Sequence, residues 1–168
     1  IATPQPASAA AACVPSSSNS GGFTTLTFTN TSECTWTVPN GVVAFDVLAV
    51  GAGGGGGADA GSGGGGGAYY FNSVNLGSLV SPSFNITVGV GGRPQIHTSN
   101  ISVPSSYFTG TNYAGSATTF VNSASTFSIT AYGGGAGQWS SDVSAAGWTA
   151  GGSAPAVTNS LGLTLGTA

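Results

Sequence analysis

Apolar and polar residues alternate in twos along much of this chain, beginning at Phe23. In FTTLTFTN, Leu26 and Phe28 are separated by threonines, and in TWTVP Trp36 and Val38 repeat the spacing. A period of two sends successive side chains to opposite faces of an extended strand. By the same criterion 69–74 (YYFNSV), 118–122 (TTFVN) and 126–132 (TFSITAY) are strands, as is 157–165, where Leu161, Leu163 and Leu165 alternate. SFNITVGV puts Phe84, Ile86, Val88 and Val90 on one face and Asn85 and Thr87 on the other. The run VVAFDVLAV, 42–50, is apolar on both faces, as a strand buried between two layers would be. No segment shows a helical period with caps. The pattern predicts an all-β domain, a β-sandwich or jelly roll.

Glycine runs interrupt the strands at 53–57, 63–67 and 133–135. As free linkers they would disorder the domain. The alternative is that they pack as extended, polyproline-like segments, in which missing side chains let backbones approach closely. FDVLAVGAGGGG also carries Gly51, Gly53 and Gly56 at dinucleotide-binding spacing. That site needs a helix directly after the glycines and an acidic ribose ligand about 20 residues further on. Here a second glycine run follows instead, residues 68–77 read AYYFNSVNLG, and no GK[ST] is present. The fingerprint is a coincidence of a strand meeting polyglycine.

Charge narrows the function classes. Of 168 residues only 3% are charged, against about 25% in an ordinary globular protein. The charged set is Glu33, Asp46, Asp59, Asp142 and Arg93, with His97 the lone histidine. One arginine and no lysine cannot neutralise a phosphate backbone, which removes nucleic acid as a partner. No apolar stretch is long enough for a membrane span. No cofactor is expected, and no enzymatic activity: His97 lies in RPQIHTSN without a nucleophile motif, and no metal-ligand cluster occurs. Asp46 interrupts the most apolar strand and reads as a rim or hydrogen-bonded structural carboxylate.

Residues 1–22 are rich in Ala, Ser and Pro, and are expected to form an extended N-terminal arm ahead of a glycine-rich β-sandwich domain at 23–168. IATPQPASAAAA reads as a mature N-terminus left by signal-peptide removal. Cys13 and Cys34 form an even pair, and a disulfide between them would close a loop of about 21 residues, worth roughly 3 kcal/mol in the chain-entropy model; two reduced, buried thiols are the alternative. Sequons at Asn30, Asn85 and Asn100 offer three N-glycosylation acceptors. All of these features point to the cell surface or beyond.

Three pieces carry a family resemblance: TWTVPNGVVAFDVLAVGAGGGGG, FNITVGVGG, and SATTF followed by ITAYGGGAG. From Phe23 to about Gly137 the chain is similar to the glycine-rich domain of bacterial and archaeal surface proteins and phage tail-fibre adhesins. The resemblance implies an extracellular protein of attachment or fibre building, and supplies no catalytic residues. The cysteine pair and the arm lie outside the pattern.

The expected function is a structural subunit of a pilus-like extracellular filament, assembled from copies of itself by β-strand exchange. Sequons in such a protein lean archaeal. The arm, with Ile1, Ala2, Thr3, Pro4, Gln5 and Pro6 at its tip, is the favoured donor; residues 1–12 fully extended reach roughly 40 Å. AVTNSLGLTLG is a second candidate donor, or the domain's own last strand. One alternative is an adhesin whose Trp139, Trp148, Tyr107 and Tyr113 stack on sugar rings. Another is a surface-layer or matrix component.

Overall fold

The computed structural model describes residues 10–57, 64–77, 79, 82–94, 114–122, 126–137, 156–159 and 164–165. These residues contain eleven strands: β1 (Ala11–Ala12), β2 (Ser16–Ser20), β3 (Phe23–Thr27), β4 (Cys34–Thr37), β5 (Ala44–Val50), β6 (Tyr69–Asn75), β7 (Ser83–Thr87), β8 (Thr118–Asn122), β9 (Phe127–Ala131), β10 (Ala156–Asn159) and β11 (Thr164–Leu165). The protein is all-β. A six-stranded sheet in the order β1-β4-β7-β8-β9-β10 faces a three-stranded sheet, β11-β6-β5. The hairpin β2-β3 forms a separate two-stranded ribbon, turned by Gly21 and Gly22 at φ 59 and 82, values that suit glycine and the mirror-image turns of tight hairpins.

The core follows from the alternation. Phe84, Ile86, Phe120, Phe127 and Ile129 are buried from the large sheet, and Ala49 and Val74 from the small one. Phe84 and Phe120 stack with ring centroids 4.4 Å apart, and Trp36 meets Phe28 and Phe45 edge-on at 5.8 and 5.4 Å. Such aromatic pairs add about 0.5–1.5 kcal/mol each beyond the area they bury. Cys13 and Cys34 are joined in a disulfide with Cα atoms 4.9 Å apart, fixing β1 as a parallel strand on the outer edge of β4. Residues 11–20 of the alanine- and serine-rich segment are thus partly strand, although no period marks them. The expected strand at 157–165 is two short elements, β10 and β11, in different sheets.

Beyond the sandwich, five strands continue into glycine segments: β5 into 51–57, β7 into 88–94 and β9 into 132–137, while 64–68 leads into β6 and 114–117 into β8. Segment 51–57 sits in the middle, bonded to the other four. Its partners change with a period of three. Gly51 and Gly54 donate N–H bonds to Ala68 and Gly65, the carbonyls of Ala52 and Gly55 accept from Gly134 and Gly137, and the Gly53 carbonyl accepts from Gly92. A β-strand would repeat every two residues, whereas three per turn is the polyproline-II geometry. A Cβ placed on Gly54 would lie 1.9 Å from the Gly135 carbonyl oxygen, and one on Gly134 1.9 Å from that of Gly65. The glycine runs are therefore a packed bundle, held by backbone bonds between chains too close for side chains.

Candidate functional site: the open edge of β5

Strand β5 is not covered on both faces, as its apolar run predicts. Phe45, Val47 and Ala49 turn into the core, while Ala44, Asp46, Leu48 and Val50 are exposed on the outer face. Among the described residues it is also the last strand of its sheet. The ladder with β6 is antiparallel, pairing Ala44 with Asn75 through to Val50 with Tyr69. At its two ends the Val43 carbonyl accepts from Leu76 N–H and Gly51 N–H donates to Ala68. Odd-numbered positions thus exchange hydrogen bonds with β6, and alternation turns the even-numbered ones the other way. The Val50 carbonyl fits this parity: it accepts a 2.6 Å bond from Thr118 Oγ1 of the opposite sheet. The N–H and C=O groups of Ala44, Asp46 and Leu48 consequently point out of the open edge, with no backbone partner among the described residues.

The two sheets are unequal beside this edge. β5 packs across β8 and β9, and β6 across β9, while the contact of β5 with β4 and β7 is made by the Phe45 ring, which meets Trp36 at 5.4 Å and Phe84 at 6.0 Å. An apolar groove of about 220 Å³ fills the step, lined by residues 47–50 of β5, Ile86, Val88, Phe120 and Phe28, with Thr118 and Thr119. Thr118 fixes its bundle end, donating to Val50 and accepting the Gly89 N–H at 2.9 Å. The arrangement has an edge to pair with and, beside it, an apolar floor with room for a few small side chains. Asp46 is exposed beside the edge and accepts a hydrogen bond from Ser73, a structural use of the carboxylate.

Other sequence candidates separate. Asn30 is exposed, and its backbone carbonyl accepts from Val88 N–H at 2.8 Å. Asn85 lies on the outward face of β7, but its side chain is engaged: Thr35 Oγ1 donates to its Oδ1 at 2.9 Å and its Nδ2 donates to Glu33 at 3.5 Å. Asn100, His97, Tyr107, Tyr113, Trp139, Trp148 and the arm tip from Ile1 to Pro6 lie outside the described residues. The exposed face of β5, though not its place at the edge of the sheet, was within reach of sequence reasoning: Asp46 marks the even positions of β5 as outward, because a lone carboxylate does not sit in an apolar interior. No described helix is long and apolar enough to cross a membrane.

Fold and site together define an all-β sandwich whose strands run on into a polyglycine bundle. The glycine-rich domain family matches residues 27–167, and the chain belongs to that family. No curated protein and no solved structure matches it.

Proposed function

We propose that the protein is a structural subunit of an extracellular, pilus-like filament in which each copy lends a β-strand to the next. One observation carries this reading: the edge of β5, unpaired among the described residues, beside an apolar groove. An exposed edge with an apolar floor is a template that proteins normally cover or charge, and strand addition from a neighbour satisfies its backbone groups. Repeated head to tail, the contact is heterologous and yields an open fibre. A charge-poor exterior suits close lateral packing of copies, N-linked glycans at the exposed Asn30 would face solvent, and an archaeal cell surface fits the sequons. No catalysis is assigned.

Electron microscopy of the purified full chain tests the proposal. Threads are expected, and they should be lost when a bulky charge is placed in the groove by Val88→Arg, with the monomer still folded. Persistently monomeric protein at high concentration would sink the filament. A surface-binding adhesin is then the better reading, favoured by Tyr69, Leu48 and Val50, which expose neighbouring apolar surface on the outer sheet face; glycan-array binding by the monomer would support it.

A further inference from the structure

The strand-exchange reading leaves open which segment fills the groove, and in what register. We propose that it is residues 1–9 of a second copy, IATPQPASA, running antiparallel to β5 with Pro4 and Pro6 turned into the groove. This rests on the strand-exchange reading and specifies its donor.

The inference begins with the spacing of the two prolines. In an extended strand, N–H groups of alternate residues point to the same edge. Pro4 and Pro6 lack N–H groups toward one edge only, and Thr3, Gln5 and Ala7 keep theirs toward the other. A strand with this pattern pairs well on one side and poorly on the opposite side. The edge of β5 requires pairing on one side.

The sense of pairing follows from where side chains must point. On β5 the residues whose backbone faces the open edge, Ala44, Asp46 and Leu48, carry outward side chains. In an antiparallel pair, directly opposed residues exchange both hydrogen bonds and place their side chains on the same face. Thr3, Gln5 and Ala7, bonded to β5, then project outward, and Ala2, Pro4, Pro6 and Ser8 project inward. That puts two apolar rings over Ile86, Val88 and Phe28 and leaves Thr3 and Gln5 in water. A parallel pairing reverses every side chain, burying Gln5 and exposing the prolines. The prolines also face the new outer edge, where two missing donors discourage addition of a further strand; the fibre grows in a line and does not broaden into a sheet.

The occupant comes from another copy because of the direction in which the chain leaves its own domain. β1 lies on the far side of β4, parallel to it, with Ala11 opposite Cys34, and Cys34 in turn opposite Ile86. Followed backward from Ala11, the direction of β1 points toward the glycine-bundle end, on the outer side of β4. Bringing residues 1–9 back along β5 of the same molecule needs a tight reversal, and residues 7–12, ASAAAA, hold no Gly, Asn, Asp or Pro and offer only Ser8 as a turn former.

The test shifts the prolines by one residue in the full chain. Pro4→Ala/Pro6→Ala should still form fibres, whereas the same double variant carrying Thr3→Pro and Gln5→Pro should remain a folded monomer with unchanged thermal unfolding. Equal assembly by the two variants overturns the proposal, as do fibres formed by a chain lacking residues 1–9; the filament reading survives both results with another donor. A labelled IATPQPASA peptide should bind the chain lacking residues 1–9, measured by fluorescence anisotropy, and should fail to bind the same chain carrying Leu48→Pro, which removes an open-edge N–H and none directed at β6. If wild type makes fibres but the peptide does not bind, the donor is wrong. If the peptide binds but wild type never assembles, the arm closes its own groove and the second copy is excluded.

Discussion

Phe84 and Gly54 are both enclosed by other strands, yet one brings a large ring to its contacts and the other brings only backbone. The sandwich end is held in the usual way, by side chains from two sheets excluding water from a common interior. At the bundle end the segments are mostly glycine, and the close contacts are hydrogen bonds between peptide groups, repeating every third residue along 51–57. The two ends share strands, so the register set by the sandwich decides which glycine meets which carbonyl. Thr118 is the joint, bonded to Val50 on one side and to Gly89 on the other. Evenly spaced close contacts tolerate no added volume, whereas a side-chain core tolerates repacking at a cost.

The largest expected effect lies in the sandwich. Phe84→Ala removes the ring stacked on Phe120 and should cost about 3–5 kcal/mol in denaturant unfolding. In the bundle, Gly54→Ala adds one methyl where only backbone could yield, and should cost about 3 kcal/mol or more. Gly66→Ala meets nothing within 4 Å and should fall within about 0.5 kcal/mol of wild type. If the two glycine variants behave alike, the bundle is not close-packed and the contrast between the two ends collapses.

Thr118→Val keeps the shape of the joint but deletes its hydroxyl, leaving the Gly89 N–H without its acceptor and Val50 without its donor. A loss of about 1–3 kcal/mol is expected, with hydrogen exchange rising in both β5 and 88–94; faster exchange confined to one of them would mean that the ends are uncoupled. The smallest effect should be that of pH. The chain carries only four side-chain carboxylates and one histidine, so stability between about pH 3 and pH 8 should change by roughly 1 kcal/mol or less. A steep dependence of melting temperature would reveal a charge contribution that neither end of the molecule shows.

Alternation of apolar residues at 84–88, 118–122 and 127–131 was sufficient to locate β7, β8 and β9, because a period of two has only one use beside a buried layer. Phe84 and Ile86 could be read directly as sharing one face. β2 could not, since SSSNS has no apolar face; only the Gly21-Gly22 pair ahead of FTTLT signals its hairpin. β5 misled by richness: with apolar residues on both faces it resembled a central strand, and only Asp46 hinted at the exposed side.

By itself, then, the sequence determined the strands that carry an alternating apolar face, offered Cys13 and Cys34 as a pair, and marked the segments that cannot be helical, since these depend on local periodicity and on what glycine lacks. Tertiary structure alone decided that β5 is the last described strand of its sheet, that the backbone groups of Ala44, Asp46 and Leu48 have no partner among the described residues, and that the glycine runs converge on segment 51–57. Those facts depend on which strands lie side by side and in what register, which is fixed by contacts between residues far apart in the chain.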